Sequence, residues 1–141
     1  MTTTFGQRFR NAARPMSAFG RNSKPGTTVT GYIATITEEP KLKFGGAPGE
    51  VELDDDGQPV MQPVITLNTA GGPRLLYVSW RMEQAIGHAL EQCGDGIEFE
   101  AGAQLSVTYT GPDPDYPKAR MFTATYTPSA PAGPGAQWEK Q

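Results

Sequence analysis

With 141 residues the chain is long enough for one domain and its tails; 37% hydrophobic content, 17 glycines and 13 prolines imply a core of roughly 100 residues among polar loops. The net charge of -3 does not advertise nucleic acid, yet residues 1–25 carry Arg8, Arg10, Arg14, Arg21 and Lys24 and no acid. A single cysteine excludes an internal disulfide, no apolar run is long enough to span a bilayer, and the N-terminus lacks a signal-peptide core. A soluble protein of a reducing, cytoplasmic compartment is expected.

Residues 1–25 show no sustained periodicity and are read as a basic disordered arm that touches phosphates or a partner once bound. The stretch 27–37, TTVTGYIATIT, is rich in β-branched residues and reads as a first strand, with Gly31 marking a bulge or bend. The connection 38–60 contains KLKFGGAPG and then DDDGQP, whose Asp56-Gly57 pair is a hairpin signal, so part of it is expected to fold as a ribbon. A second strand covers 60–69, with Ile65 and Leu67 inward by alternation. The turn Ala70-Gly71-Gly72-Pro73 leads to a third strand over 74–80.

The chain then changes period. Met82, Ala85, Ile86, Ala89, Leu90 and Cys93 fall on one face of a helix, with Ser79 as N-cap and Gly94 just past the end. Cys93 is read as a buried free thiol and His88 as an exposed helix residue. Beyond the helix, 104–110 alternates Leu105, Val107 and Tyr109 against polar neighbours, and a Pro-rich loop leads to a last strand over 120–127. The tail 128–141 is read as a mobile Pro/Gly/Ala linker ending near Trp138.

Three strands, one helix and two strands match a mainly β fold, the five-stranded OB-fold Greek-key barrel with one α-helix between strands 3 and 4, over residues 26–127. A parallel α/β sheet needs a crossover helix after nearly every strand, and a plain sandwich needs none.

An OB barrel binds ligands across strands 2 and 3, between the loops joining strands 1–2 and 4–5. Those loops carry Lys41, Lys43 and Phe44, and Tyr116, Lys118 and Arg120. On strand 3, Leu76 and Val78 point inward, which leaves Tyr77 outward. Trp80 shares the inward parity and is read as a core plug; Arg74 and Arg81 flank the strand at its two ends. Exposed rings beside Lys and Arg suit single-stranded nucleic acid, because every base offers a face to stack and every phosphate a charge to neutralise. Lys41, Lys43, Phe44, Arg74, Tyr77, Arg81, Tyr116, Lys118 and Arg120 are therefore the candidate binding residues.

Enzymatic readings are weak. One His and one Cys make no metal set, the run Asp54-Asp55-Asp56-Gly57 lacks the alternating spacing of a calcium loop, and no Gly-rich phosphate loop precedes the helix. No cofactor is expected, and the acidic run is read as a solvated turn or a surface that keeps DNA off the wrong face.

The segments GTTVTGYIATITEEP, QPVITLNTAGGPRLLYVSWRMEQAIGHAL and FEAGAQLSVTYTG…KARMFTATY resemble single-stranded DNA-binding proteins of bacteriophages that infect actinobacteria. The resemblance covers residues 26–126. It implies an OB-fold that sequesters single-stranded DNA during phage replication or recombination in the host cytoplasm, as a dimer or tetramer, beside replication or recombination proteins. Many cellular proteins of this class end in an acidic, Phe-tipped tail, whereas this chain ends Gln137-Trp138-Glu139-Lys140-Gln141. The alternative expectation is an OB-fold protein-interaction or virion component that binds a peptide on the same face.

Overall fold

The computed structural model describes residues 4–6, 9, 13–43 and 45–129. Within them the order is β1 (Met16–Ser17), β2 (Thr28–Pro40), β3 (Met61–Thr69), β4 (Gly72–Tyr77), α1 (Trp80–Cys93), β5 (Gln104–Pro112) and β6 (Arg120–Thr127). The mainly β character and the helix between the third and fourth long strands are as the periodicities indicate. The Trp138 tail and the arginines at 8 and 10 lie outside the described residues.

All strands join one sheet in the order β1-β4-β3-β2-β5-β6, antiparallel except for the parallel pair β1–β4. The sheet curls into an open half-barrel of six strands, which corrects the expectation of a closed five-stranded barrel. Closure would require β4 to meet β6, and backbone from the basic arm stands between them. Met16 and Ser17 pair with Arg74 and Leu75, and the Ala18 amide donates to the Leu75 carbonyl at 2.7 Å. Farther along, Phe19 packs edge-on against Phe122 at 5.4 Å, and Arg120 donates to the carbonyls of Gly20 and Arg21 at 3.0 and 2.9 Å. Residues 16–21, read as part of a disordered arm, are thus packed as a stave between the two edges.

The core lies on the concave side. Ile33, Ile65, Leu67, Leu76, Leu105 and Val107 from the sheet meet Met82, Ile86 and Ala89 from α1. The helix therefore buries one face only, as its apolar spacing dictates. Both ends stop where the side chains direct: the Ser79 hydroxyl accepts from the Met82 amide at 3.3 Å, and Gly94 at φ 108° donates to the Glu91 carbonyl at 3.2 Å. Cys93 is half-buried rather than buried, because at the last turn its thiol reaches out to the Tyr126 carbonyl at 3.1 Å. His88 is exposed, as read.

The connection between β2 and β3 does form a ribbon. Leu42 bridges Val51 and Leu53 bridges Pro59, while Asp54 closes the turn by accepting from the Asp56 and Gln58 amides at 2.9 and 3.0 Å. Asp54 is thus a turn-former through its side chain.

The β2 bulge lies between Ile33 and Thr35, not at Gly31. Gly31 is needed for a different reason: it is paired to Thr69 on one side and Leu105 on the other, and a Cβ there would stand 2.6 Å from the Asn68 carbonyl oxygen. Backbone on the neighbouring strand cannot swing aside as a side chain does. Gly31→Ala is expected to lower stability by about 1–3 kcal/mol through overpacking. A urea melt with an unchanged midpoint would contradict this account of the β2–β3 approach.

Candidate functional site

The site grows from the place where β4 stops. Leu76 and Val78 turn into the core and Tyr77 between them faces out, 38% exposed. Ser79 then caps the helix, and the step between side chains changes from the half-turn of a strand to the smaller rotation of a helix. Trp80 therefore does not continue the inward series. It is 62% exposed at the first helical position, which corrects its reading as a core plug.

Arg81 follows and anchors the corner. Its guanidinium lies 2.9 Å from the Asp113 carboxylate, 5.8 Å from the Trp80 ring centroid and 5.9 Å from that of Tyr116. Asp113 is buried and self-supported: its amide donates to the Ala119 carbonyl at 2.9 Å and its carboxylate accepts from the Asp115 amide at 2.8 Å. One cation thereby ties the start of α1 to the β5–β6 loop and stands beside two exposed rings.

Between this corner and the ribbon runs a groove of about 490 Å³. Tyr77, Trp80 and Arg81 line it with Lys41 from the ribbon and Lys118 and Arg120 from the β5–β6 loop; Ser17 and Phe19 form a wall. A second depression of about 710 Å³ adjoins it, lined by Arg14, Glu39, Lys41, Lys43 and Tyr77. Tyr77 and Lys41 belong to both, so the two make one continuous track with a ring at its centre.

Of the residues expected from the sequence, Lys41, Tyr77, Arg81, Lys118 and Arg120 thus share the groove, Lys43 borders the adjoining depression and Tyr116 stands beside Arg81. Arg74 lies apart: its guanidinium folds back to the Pro73 carbonyl at 2.9 Å, over the turn at the far end of β4. Phe44 falls outside the described residues. Arg120 is present but committed, holding two arm carbonyls and stacking over Tyr109 at 5.0 Å.

Two contributors were read otherwise, Trp80 as a core plug and Arg14 only as one cation of a disordered arm. Trp80 was legible in principle, because the Ser79 cap already implied that strand alternation ends there. Arg14 carried no such signal, since its place depends on the path of β1. Its guanidinium lies 2.6 Å from the Glu39 carboxylate, and its pKa is raised above the ordinary arginine value chiefly by that hydrogen bond and then by electrostatic attraction to the nearby Tyr77.

Most of these cations have a carboxylate already. Arg14 pairs with Glu39, Lys41 with Glu52 at 3.8 Å and Lys43 with Glu50 at 3.4 Å. The arrangement binds and orients; among the described residues no cluster of His, Cys, Asp and Glu is placed to hold a metal ion. A third depression, lined by Ile36, Ile65, Val78, Ile86, Leu90 and Phe99, is apolar, with Glu83 as its one charged lining residue.

Because Arg120 fastens the arm, Arg120→Ala is expected to cost about 2 kcal/mol of stability through two lost charge-assisted hydrogen bonds. Thermal unfolding indistinguishable from wild type would show that the stave is not held in this way. Comparison of the chain with protein-family models, curated proteins and solved structures finds no match.

Proposed function

We propose that this chain is a non-catalytic, sequence-tolerant binder of single-stranded DNA built on an OB-type scaffold. The observation that carries the reading is an exposed Tyr77 at the centre of a track whose cations come from both flanking loops, Lys41 and Lys43 on one side and Lys118 on the other. Bases lie flat on Tyr77 and on Trp80, while the phosphates run along the lysines and Arg14. The order β4-β3-β2-β5-β6, with the helix between β4 and β5, supports an OB-type barrel opened between its third and fifth strands.

An unpaired strand suits this track better than a duplex. Stacking needs bases whose faces are free, and the rings project singly from a corner rather than presenting a helix or ribbon to a major groove. The same reasoning, with the sequence resemblance, supports a role in keeping single strands exposed during phage replication or recombination, in the host cytoplasm. No described helix is long and apolar enough to cross a membrane. A dimer or tetramer is the assembly proposed, since β1 pairs with only Arg74 and Leu75 and leaves the rest of the outer strand edges to be covered.

Two measurements test the proposal. In a fluorescence titration with oligo-dT, Tyr77→Ala and Trp80→Ala each weaken binding by about 1–3 kcal/mol; unchanged affinity in both would remove the assigned face. In a mobility shift, single-stranded DNA is retarded at concentrations where a duplex of equal length is not. Equal retardation of both would overturn the preference for single strands, and retardation of neither speaks for the peptide-binding alternative.

A further inference from the structure

The cations of the track are matched by acids that face solvent. Glu39 leaves β2 beside Arg14, and Glu50 and Glu52 come from the ribbon strand facing Lys41 and Lys43. All three pairs are substantially exposed, with side-chain accessibilities between 39 and 56%. Exposed pairs contribute little to stability, because water solvates both partners and two long side chains must be ordered. Glu50 also accepts from the Ala47 amide at 2.9 Å and so helps close the tip of the ribbon, but that bond does not require a lysine partner, and three exposed ion pairs along one depression of an acidic protein need a reason other than folding.

We propose that Glu39, Glu50 and Glu52 act as phosphate stand-ins that latch the cations of the track when it is empty and set the threshold for ligand binding. This deepens, and rests on, the reading of the track as a single-strand site. An incoming phosphate must take Arg14, Lys41 or Lys43 from a carboxylate, and that carboxylate stays close to the phosphate and repels it. Binding then depends on stacking at Tyr77 and Trp80 to supply what the charges do not. A polyanion with no free base faces, such as duplex DNA or an inorganic polyphosphate, gains too little from the latched cations to displace the acids. The carboxylates thus act as specificity determinants, selecting unpaired bases over bare negative charge.

The latch also changes the salt response. A cation without a carboxylate binds phosphate with release of the counterions condensed on the nucleic acid, which makes affinity fall steeply with salt. In the latched site, carboxylates freed on binding collect cations of their own, so the net release is smaller and the slope shallower.

The test compares E39Q/E50Q/E52Q with a control of equal charge change away from the track, E91Q/D95N/E98Q, using oligo-dT and a duplex of the same length. Glu91, Asp95 and Glu98 are all exposed, at or beyond the end of α1. The track variant is expected to bind oligo-dT about tenfold more tightly at low salt, the combined effect of three exposed pairs. Its plot of log affinity against log salt should be steeper, and its preference for single strand over duplex smaller; the control should stay near wild type. Equal gains in both variants would mean that only net charge matters and would overturn the latch. So would wild-type affinity in the track variant, while leaving the single-strand reading intact. If neither wild type nor variant binds oligo-dT, the reading and the latch fall together.

Discussion

The hydroxyl of Ser79 sets the geometry on which the rest of this molecule depends. By accepting from the Met82 amide it converts a strand into a helix within two residues of Tyr77. That conversion keeps Leu76, Val78 and Met82 in one core while placing Tyr77 and Trp80 outside it. It also keeps β4 short. A six-residue strand that turns away at Tyr77 does not run on to close against β6, and the sheet remains a half-barrel. The vacancy between the two edges is taken by residues 16–21, which thereby become a wall of the groove. One local hydrogen bond thus couples the shape of the sheet, the seat of the helix and the two rings that face solvent.

Electrostatics then decides what the groove is worth to a ligand. Arg81, drawn to a buried carboxylate and flanked by Trp80 and Tyr116, belongs to the architecture of the corner more than to any ligand. Arg120 is likewise spent on backbone carbonyls. The cations with solvent-facing pairs are Arg14, Lys41 and Lys43, and it is these that an anion can recruit at small cost. The net acidity of the chain is therefore compatible with a polyanionic ligand, because cations and rings are concentrated on one track while the charges that offset them sit in exchangeable pairs.

Much of this was legible from periodicity. The helix with its two caps, the alternation of Leu105, Val107 and Tyr109, and the turn at Asp54–Gly57 each rest on local rules that a sequence displays directly. Of the expected binding residues, Lys41, Lys118 and Arg120 meet in one groove because loop position follows from strand order, whereas Arg74, at the far end of its strand, does not join them. What escaped was non-local. The path of β1 depends on two free sheet edges that only the folded chain brings near each other, so an arm with no period of its own could not announce that part of it would pack. The crowding at Gly31 comes from Asn68 and Thr69 on β3, more than 35 residues on in the chain, and the bulge itself belongs to Ala34, which has no bulge signature. Trp80 was misplaced by carrying strand parity one residue past a cap that the sequence already offered.

The central claim is that one continuous track, centred on Tyr77 and walled by the arm, receives an unpaired strand. Amide and indole chemical-shift mapping with a short oligo-dT tests it most directly. The account predicts shifts concentrated at Ser17, Lys41, Tyr77, Trp80 and Ala119, with the apolar depression around Ile36, Leu90 and Phe99 unperturbed. Shifts centred on that apolar depression, or none at saturating oligonucleotide, would contradict it.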